Sequence, residues 1–269
     1  MPGQTRKSAP ATTPIFPSGG KVLDLRLWHW TDDVAEALAA EAAGVDRIGL
    51  DIERLGKAER QAGLASWISP HELSALPALR ATLGRAQLFV RVNMLHPGSA
   101  AEVEHCLAEG VDVLMLPNFV SHSELACFVD LVAGRAIVVP LVERRAALNL
   151  IADFRSLGIS EFHVGLNDLA LDLGVANRLD LLTSVELQSL SRRAQALGLR
   201  YGIGGVARPS DRGLPVDPAA VIAQYVRLGS TGAMLARSMR VANLVADGDL
   251  SRAVAEIRAC FAVGGVAAG

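Results

Sequence analysis

One joint recurs along this chain and limits what it can fold into: an apolar helical stretch ends at a glycine, and a short β-rich run follows at once. AAGVDRI, AEGVDVL, SLGISEF and ALGLRYG are four copies of it. The runs themselves are Lys21–Trp30, Asp46–Glu53, Gln87–Asn93, Val111–Asn118, Arg135–Glu143, Ser160–Asn167, Arg200–Val206 and Gly232–Met239. They are continuously apolar rather than alternating, which suits parallel strands covered on both faces. Glycine at Gly44, Gly84, Gly110, Gly134, Gly158, Gly198 and Gly229 is placed to end the preceding helix in a left-handed conformation.

Between the runs lie helical patterns with their own start signals. Thr31-Asp32 precedes Val34 and Leu38, and Asp217 stands before Pro218 at a first helical turn. Leu250, Val254, Ile257 and Phe261 form one stripe on a final helix. Eight strands, each followed by helical sequence, predict a closed (β/α)₈ TIM barrel in the α/β class. An open doubly wound sheet is the alternative that periodicity leaves standing. The chain of 269 residues matches one barrel of about 250 residues. Residues 1–20, a mixture of Ser, Thr, Pro and Gly with Arg6 and Lys7, read as a flexible tail, and residues 21–269 as one domain.

A formal net charge of −2 gives no electrostatic footprint for nucleic acid, and no run of like charge points to a membrane surface. A small molecule is the expected partner. Cys106, Cys127 and Cys260 are scattered without paired spacing, which fits a reducing cytoplasm.

In such barrels the chemistry sits at the C-terminal ends of the strands. Asp51 and Glu53 end the second run, Arg91 and Asn93 the third and Glu143 the fifth, while Asn167 and Asp168 follow the sixth. One such residue alone reads as a solvated loop; charged groups recurring at the same end read as a site. Arg91, Asp51 and Glu53 are the candidate catalytic residues. Two carboxylates with open positions suit Mg²⁺ or Mn²⁺, which can chelate an α-oxo acid and polarise its carbonyl. Arg91 would stabilise charge on the keto oxygen as an enolate forms. No lysine stands at these strand ends, which disfavours Schiff-base chemistry.

Four ordered segments carry a family resemblance: Phe89-Val90-Arg91-Val92-Asn93, Leu114-Met115-Leu116-Pro117, Val139-Pro140-Leu141-Val142-Glu143 and Gly165-Leu166-Asn167-Asp168-Leu169. The chain resembles the HpcH/HpaI aldolase and citrate lyase β-subunit family over roughly residues 51–174. The resemblance implies Glu143 and Asp168 as metal ligands and Arg91 as the substrate and enolate arginine. It implies that backbone amides around Gly165 and Asn167 bind the substrate carboxylate. It also implies a homo-oligomer packed through the terminal helix. The expected activity is that of a metal-dependent carbon–carbon lyase or aldolase acting on a pyruvate- or oxaloacetate-like acid. An acyl-CoA lyase or condensing enzyme, or a non-catalytic ligand-binding barrel, are the alternatives. Aldolase members carry Asp-x-Glu-His after the second strand, whereas here Arg54 follows Asp51-Ile52-Glu53. Citrate lyase-like members carry lysine after Leu-Pro, and here Asn118 follows Leu116-Pro117.

Other groups are secondary. Gly202-Ile203-Gly204-Gly205 is expected just after the seventh strand, near Arg208, Arg212 and Arg237-Ser238, where a phosphate or CoA group would sit. His29 is read as structural at the first strand end, His163 as packed, and His96 as able to reach substrate. His71, His105 and His122 are read as surface residues.

Overall fold

The computed structural model describes residues 25–57, 69–239 and 249–266, so the expected N-terminal tail lies outside the described residues. Eight parallel strands close into a barrel in chain order: β1 Arg26–Trp30, β2 Arg47–Asp51, β3 Gln87–Arg91, β4 Val113–Leu116, β5 Ile137–Val142, β6 Glu161–Val164, β7 Arg200–Val206 and β8 Gly232–Leu235. β8 pairs back onto β1 through Arg26↔Gly232 and Trp28↔Met234, which excludes the open sheet.

The helices between them are α1 Val34–Ala42, α2 Leu76–Thr82, α3 Ser99–Ala108, α4 His122–Val132, α5 Ala147–Leu150, α6 Leu166–Leu173, α7 Val185–Ala196, α8 Pro218–Arg227 and α9 Asp249–Val266. Local chemistry explains their starts. Ser121 and Glu124 form a reciprocal capping box on α4. Asp217 caps α8 ahead of Pro218 as expected, but the cap of α1 is Asp33 rather than Thr31-Asp32. Of the helix-ending glycines all but Gly84 take a left-handed φ.

Side-chain alternation sorts each strand between two environments. Leu27, Ile48, Leu50, Leu88 and Val90 pack outward in the layer shared with the helices. Trp28, Phe89, Val113, Met115, Val139 and Leu141 fill the barrel axis. Below this plug, at the N-terminal ends of the strands, Arg47 is fully buried and grips both oxygens of Glu161 at 2.8 Å. Arg26 joins Glu161 at 2.8 Å, and the Arg47 guanidinium lies 4.4 Å from the Trp28 ring centre. Burial opposes ionisation of Glu161, but the Arg47 and Arg26 guanidinia outweigh it and hold the carboxyl below its ordinary range.

The last helix is tied to the first strand. Leu250, Val254, Ile257 and Phe261 are all buried against the chain's own body. Arg258 donates to the carbonyls of Leu25 and Gly44 and to Asp46. The stripe expected to join subunits is therefore spent within the chain.

Glu161→Gln should expose the cost of the buried pair. Leaving Arg47 without its counter-charge typically costs about 3–5 kcal/mol. Urea denaturation reads this directly, and a variant as stable as the parent would show that the pair contributes nothing to the floor.

Candidate active site

Register puts the charged strand ends in one place. Asp51 and Arg91 are direct partners across the β2–β3 ladder. Arg91 holds Asp51 with two bonds, Nε to Oδ1 at 2.8 Å and a terminal nitrogen to Oδ2 at 2.6 Å. Its Nε also lies 3.4 Å from Glu53 Oε2, and its guanidinium sits 5.3 Å from the Trp30 ring centre. Burial disfavours the Asp51 carboxylate, yet Arg91 first and Lys57 after it hold its pKa down to about 2. The same pairing raises Arg91 above its ordinary value against the effect of burial.

Beside this pair stand three buried carboxylates. Glu53, Glu143 and Asp168 each offer an oxygen, and these oxygens all lie within 4.8 Å of one another. Glu143 reaches the cluster from the end of β5, and its Oε1 accepts the Asn118 backbone N–H at 3.0 Å. Asp168 comes from the first turn of α6, whose N-cap is Gly165. A Cβ at Gly165 would lie 2.6 Å from Glu143 Oε2, so glycine there leaves the carboxylate its room. Burial, then Glu53 and Asp168, push the Glu143 pKa well above the usual range, against the opposing pull of Arg91 and the Asn118 N–H.

A cavity of about 520 Å³ opens on this cluster. It is lined by Asp51, Arg91, Glu143, Gly165, Asn167 and Asp168, which brings the expected metal-ligating and substrate-binding residues to one mouth. Glu53 lies at that mouth within the carboxylate cluster. The donors suit a hard divalent cation: they are all oxygen, and they carry excess negative charge. Arg91 and Lys57 both reach Asp51 and Glu53. The Oδ1 of Asn118 is buried next to the cluster without a donor. These features fit Mg²⁺ or Mn²⁺.

Several expectations need correction. A lysine does reach the mouth: Lys57 is buried, with Nζ 3.3 Å from Asp51 and 3.4 Å from Glu53. It comes from the loop after β2, where no strand pattern announces it. His71 is not a surface residue. It is buried, lines the cavity, and accepts the Asp51 backbone N–H on Nδ1 at 3.1 Å. Arg54 turns away from the cavity and donates to the His71 carbonyl and Glu72, anchoring the segment that carries this histidine. Asn93 is bound to the Arg54 and Leu55 N–H groups and to Glu102, so it serves the loop.

Gly202, Gly204 and Gly205 lie within β7, not after it, and β7 shifts register between Gly202 and Gly205. A Cβ at Gly202 would meet His163 Nδ1 at 2.4 Å, so this glycine makes room for a packed imidazole. Burial lowers the His163 pKa to about 4. Arg208 pairs with Glu256, while Arg237 and Ser238 do line the cavity. His29 bonds Glu36 at 3.0 Å beside the mouth, and His96 is held by its own loop through Gly98.

The raised Glu143 pKa has a signed consequence. Between its ordinary and raised values the folded chain binds more protons than the unfolded one, so stability falls as pH rises through that window. Asp51 does not mask this, because its contribution is lost only as pH falls toward about 2. The metal-free protein should melt at lower temperature as pH is raised above the ordinary carboxylate range, and Mn²⁺ should reverse the loss. Calorimetry of the parent and Glu143→Gln checks it: the variant's profile should be flatter, and identical profiles would contradict the assignment.

Neither a protein-family profile nor a curated protein matches the sequence. Solved structures do match. The HpcH/HpaI aldolase from Desulfitobacterium hafniense is 14% identical with a TM-score of 0.59, covering 79% of this chain and 86% of that one. An HpcH/HpaI aldolase/citrate lyase family protein from Burkholderia cenocepacia is 17% identical with a TM-score of 0.60, covering 79% and 88%. The chain shares its barrel fold with structures of the family that its motifs resemble.

Proposed function

We propose that this chain is an HpcH/HpaI-type carbon–carbon lyase or aldolase that uses Mg²⁺ or Mn²⁺ and acts on an α-oxo acid through its enolate. The observation that carries this reading is the cluster of Glu53, Glu143 and Asp168 beside an arginine held by two bonds to Asp51. Glu143 and Asp168 would hold the metal. Once bound, it would act as a Lewis acid on a keto oxygen.

The chain's own residues do the rest. Arg91 presents a planar fork fixed by Asp51 and stabilises negative charge on the substrate's keto oxygen. Amides around Gly165 and Asn167, at the start of α6, receive the substrate carboxylate. Asp51 and Glu53 complete the catalytic charge set: Asp51 sets the Arg91 geometry, and Glu53 lies between Arg91 and the other carboxylates. Arg54 takes no part in proton transfer, because its side chain is engaged outside the cavity. Lys57 has its Nζ committed to two carboxylates, which keeps Schiff-base chemistry disfavoured.

One observation favours the acyl-CoA alternative. The cavity extends past the cluster to Leu214, Val216 and Arg178, more room than a pyruvate-sized group fills. We further propose a single domain acting on a small molecule in the cytoplasm as a homo-oligomer, with no nucleic-acid or membrane partner. In line with this, no helix among the described residues is long and apolar enough to cross a membrane.

Proton exchange tests the reading without knowledge of the second substrate. With Mn²⁺ or Mg²⁺ and pyruvate or another oxo acid in deuterated water, the protein should exchange the protons next to the keto group. Arg91→Lys should slow exchange about 10²–10³-fold while binding the acid nearly as well. NMR follows the exchange, and melting temperature on the same sample reports folding. If the lysine variant is well folded and exchanges at the parent rate, Arg91 only ties strand ends together. A screen of oxo acids and acyl-CoA thioesters with no metal-dependent turnover or exchange would leave the non-catalytic barrel.

A further inference from the structure

We infer that Glu53 is a third carboxylate ligand of the divalent cation and that Asn118 is the residue that positions it, an inference resting on the metal-dependent reading above. Glu53 stands two residues beyond Asp51, is 1% exposed, and brings an oxygen within 4.8 Å of those of Glu143 and Asp168. In an octahedral site with bonds of about 2.1 Å, adjacent ligand oxygens stand ~3.0 Å apart and opposite ones ~4.2 Å, so the three carboxylates would draw together on one ion by rotation of their side chains.

Asn118 supplies the second, independent observation. It follows β4 in a left-handed conformation, with φ of 54°, which asparagine tolerates better than most residues other than glycine. That turn aims two donors from one residue at carboxylates from two different strands. Its backbone N–H bonds Glu143 Oε1 at 3.0 Å, and its Nδ2 bonds Glu53 Oε1 at 2.9 Å. A carboxylate only accepts, so the amide must turn its nitrogen to Glu53. The amide oxygen is then left buried with no donor, on a residue 6% exposed. A buried acceptor of this kind calls for a cation or its water. Asn118 thus fixes Glu53 and Glu143 relative to each other.

Three single-oxygen protein ligands would leave about three of six octahedral positions. Two would take the carboxylate and keto oxygens of an oxo acid, and one would remain for water or an oxygen of the second substrate. A two-carboxylate site would leave about four.

Mn²⁺ titration of the full chain without oxo acid tests this. Glu53→Gln should weaken binding at least tenfold. Asn118→Gly keeps the backbone N–H and the turn but removes the amide, and should weaken binding about tenfold, as loss of an outer-shell partner does. Combined, the two should cost little more than Glu53→Gln alone, because Asn118 acts through Glu53. Water-proton relaxation of Mn²⁺ on the parent should count about three exchangeable waters, a readout that survives if a variant fails to fold. Parent-like affinity in Glu53→Gln, or about four waters, overturns the third ligand. Loss of binding in Glu143→Gln alongside that result leaves the two-carboxylate reading intact. Full affinity in Glu143→Gln, or no Mn²⁺ binding by the parent, overturns both.

Discussion

With β8 hydrogen-bonded back onto β1, the ladder has no free edge, and each strand side chain points either to the axis or to the helical layer. That closure produces a vertical order along β2. Arg47 lies at the floor, Gly49 passes beside the apolar plug, and Asp51 and Glu53 emerge at the mouth. Two ionic clusters are thereby kept apart by Trp28, Phe89, Met115 and their neighbours. At the floor a single carboxylate, Glu161, is met by two arginines, Arg47 and Arg26. At the mouth three carboxylates crowd together.

The consequence follows from magnitude. Two like charges 4 Å apart repel by about 4 kcal/mol at an effective dielectric of 20. Glu53, Glu143 and Asp168 cannot all ionise at such separations without added positive charge, and the rise of the Glu143 pKa expresses this. Rigid local features oppose the obvious escape, which is for the carboxylates to swing apart. Gly165 leaves room for Glu143, Asn118 ties Glu143 to Glu53, and Arg91 pins Asp51. Frustrated charge held by a stiff scaffold is the usual condition of a cation site.

Much of this was legible in the residues. The strands are short apolar runs ended by a charge, and both signals are local, so position alone puts Asp51, Arg91, Glu143 and Asp168 at one mouth. Lys57 and His71 were not legible, because both lie outside the strand runs, and no periodicity encodes their contacts with Asp51. The seventh strand coincides with its run, Arg200–Val206, and takes in the glycines expected to follow it, since tertiary demands around His163 and Leu166 outweigh glycine's poor strand propensity. Asn118 stood out in sequence only as a departure from a family pattern. Its left-handed turn and its two carboxylate partners are what give that departure meaning. The terminal stripe was correctly seen as apolar and wrongly placed, because an amphipathic pattern says that a face is buried, not against what.

The bond from Arg258 to the Leu25 carbonyl spans 233 positions of sequence, and the β1–β8 pairing closes over nearly as many. A chain emerging from the ribosome in N-to-C order cannot make the strand pairing until β8 is free of the exit tunnel, nor the Arg258 bond until α9 is. Until then β1 keeps an open edge, Leu27 and its neighbours lack their cover, and the acidic residues of the mouth have no ring to converge in. Assembly of the site is thus a late event set by topology, and the nascent chain passes through a stage with an exposed parallel edge that favours pairing with a copy of itself. The strand that completes the ring, β8, thereby acts as a timing element as much as a structural one.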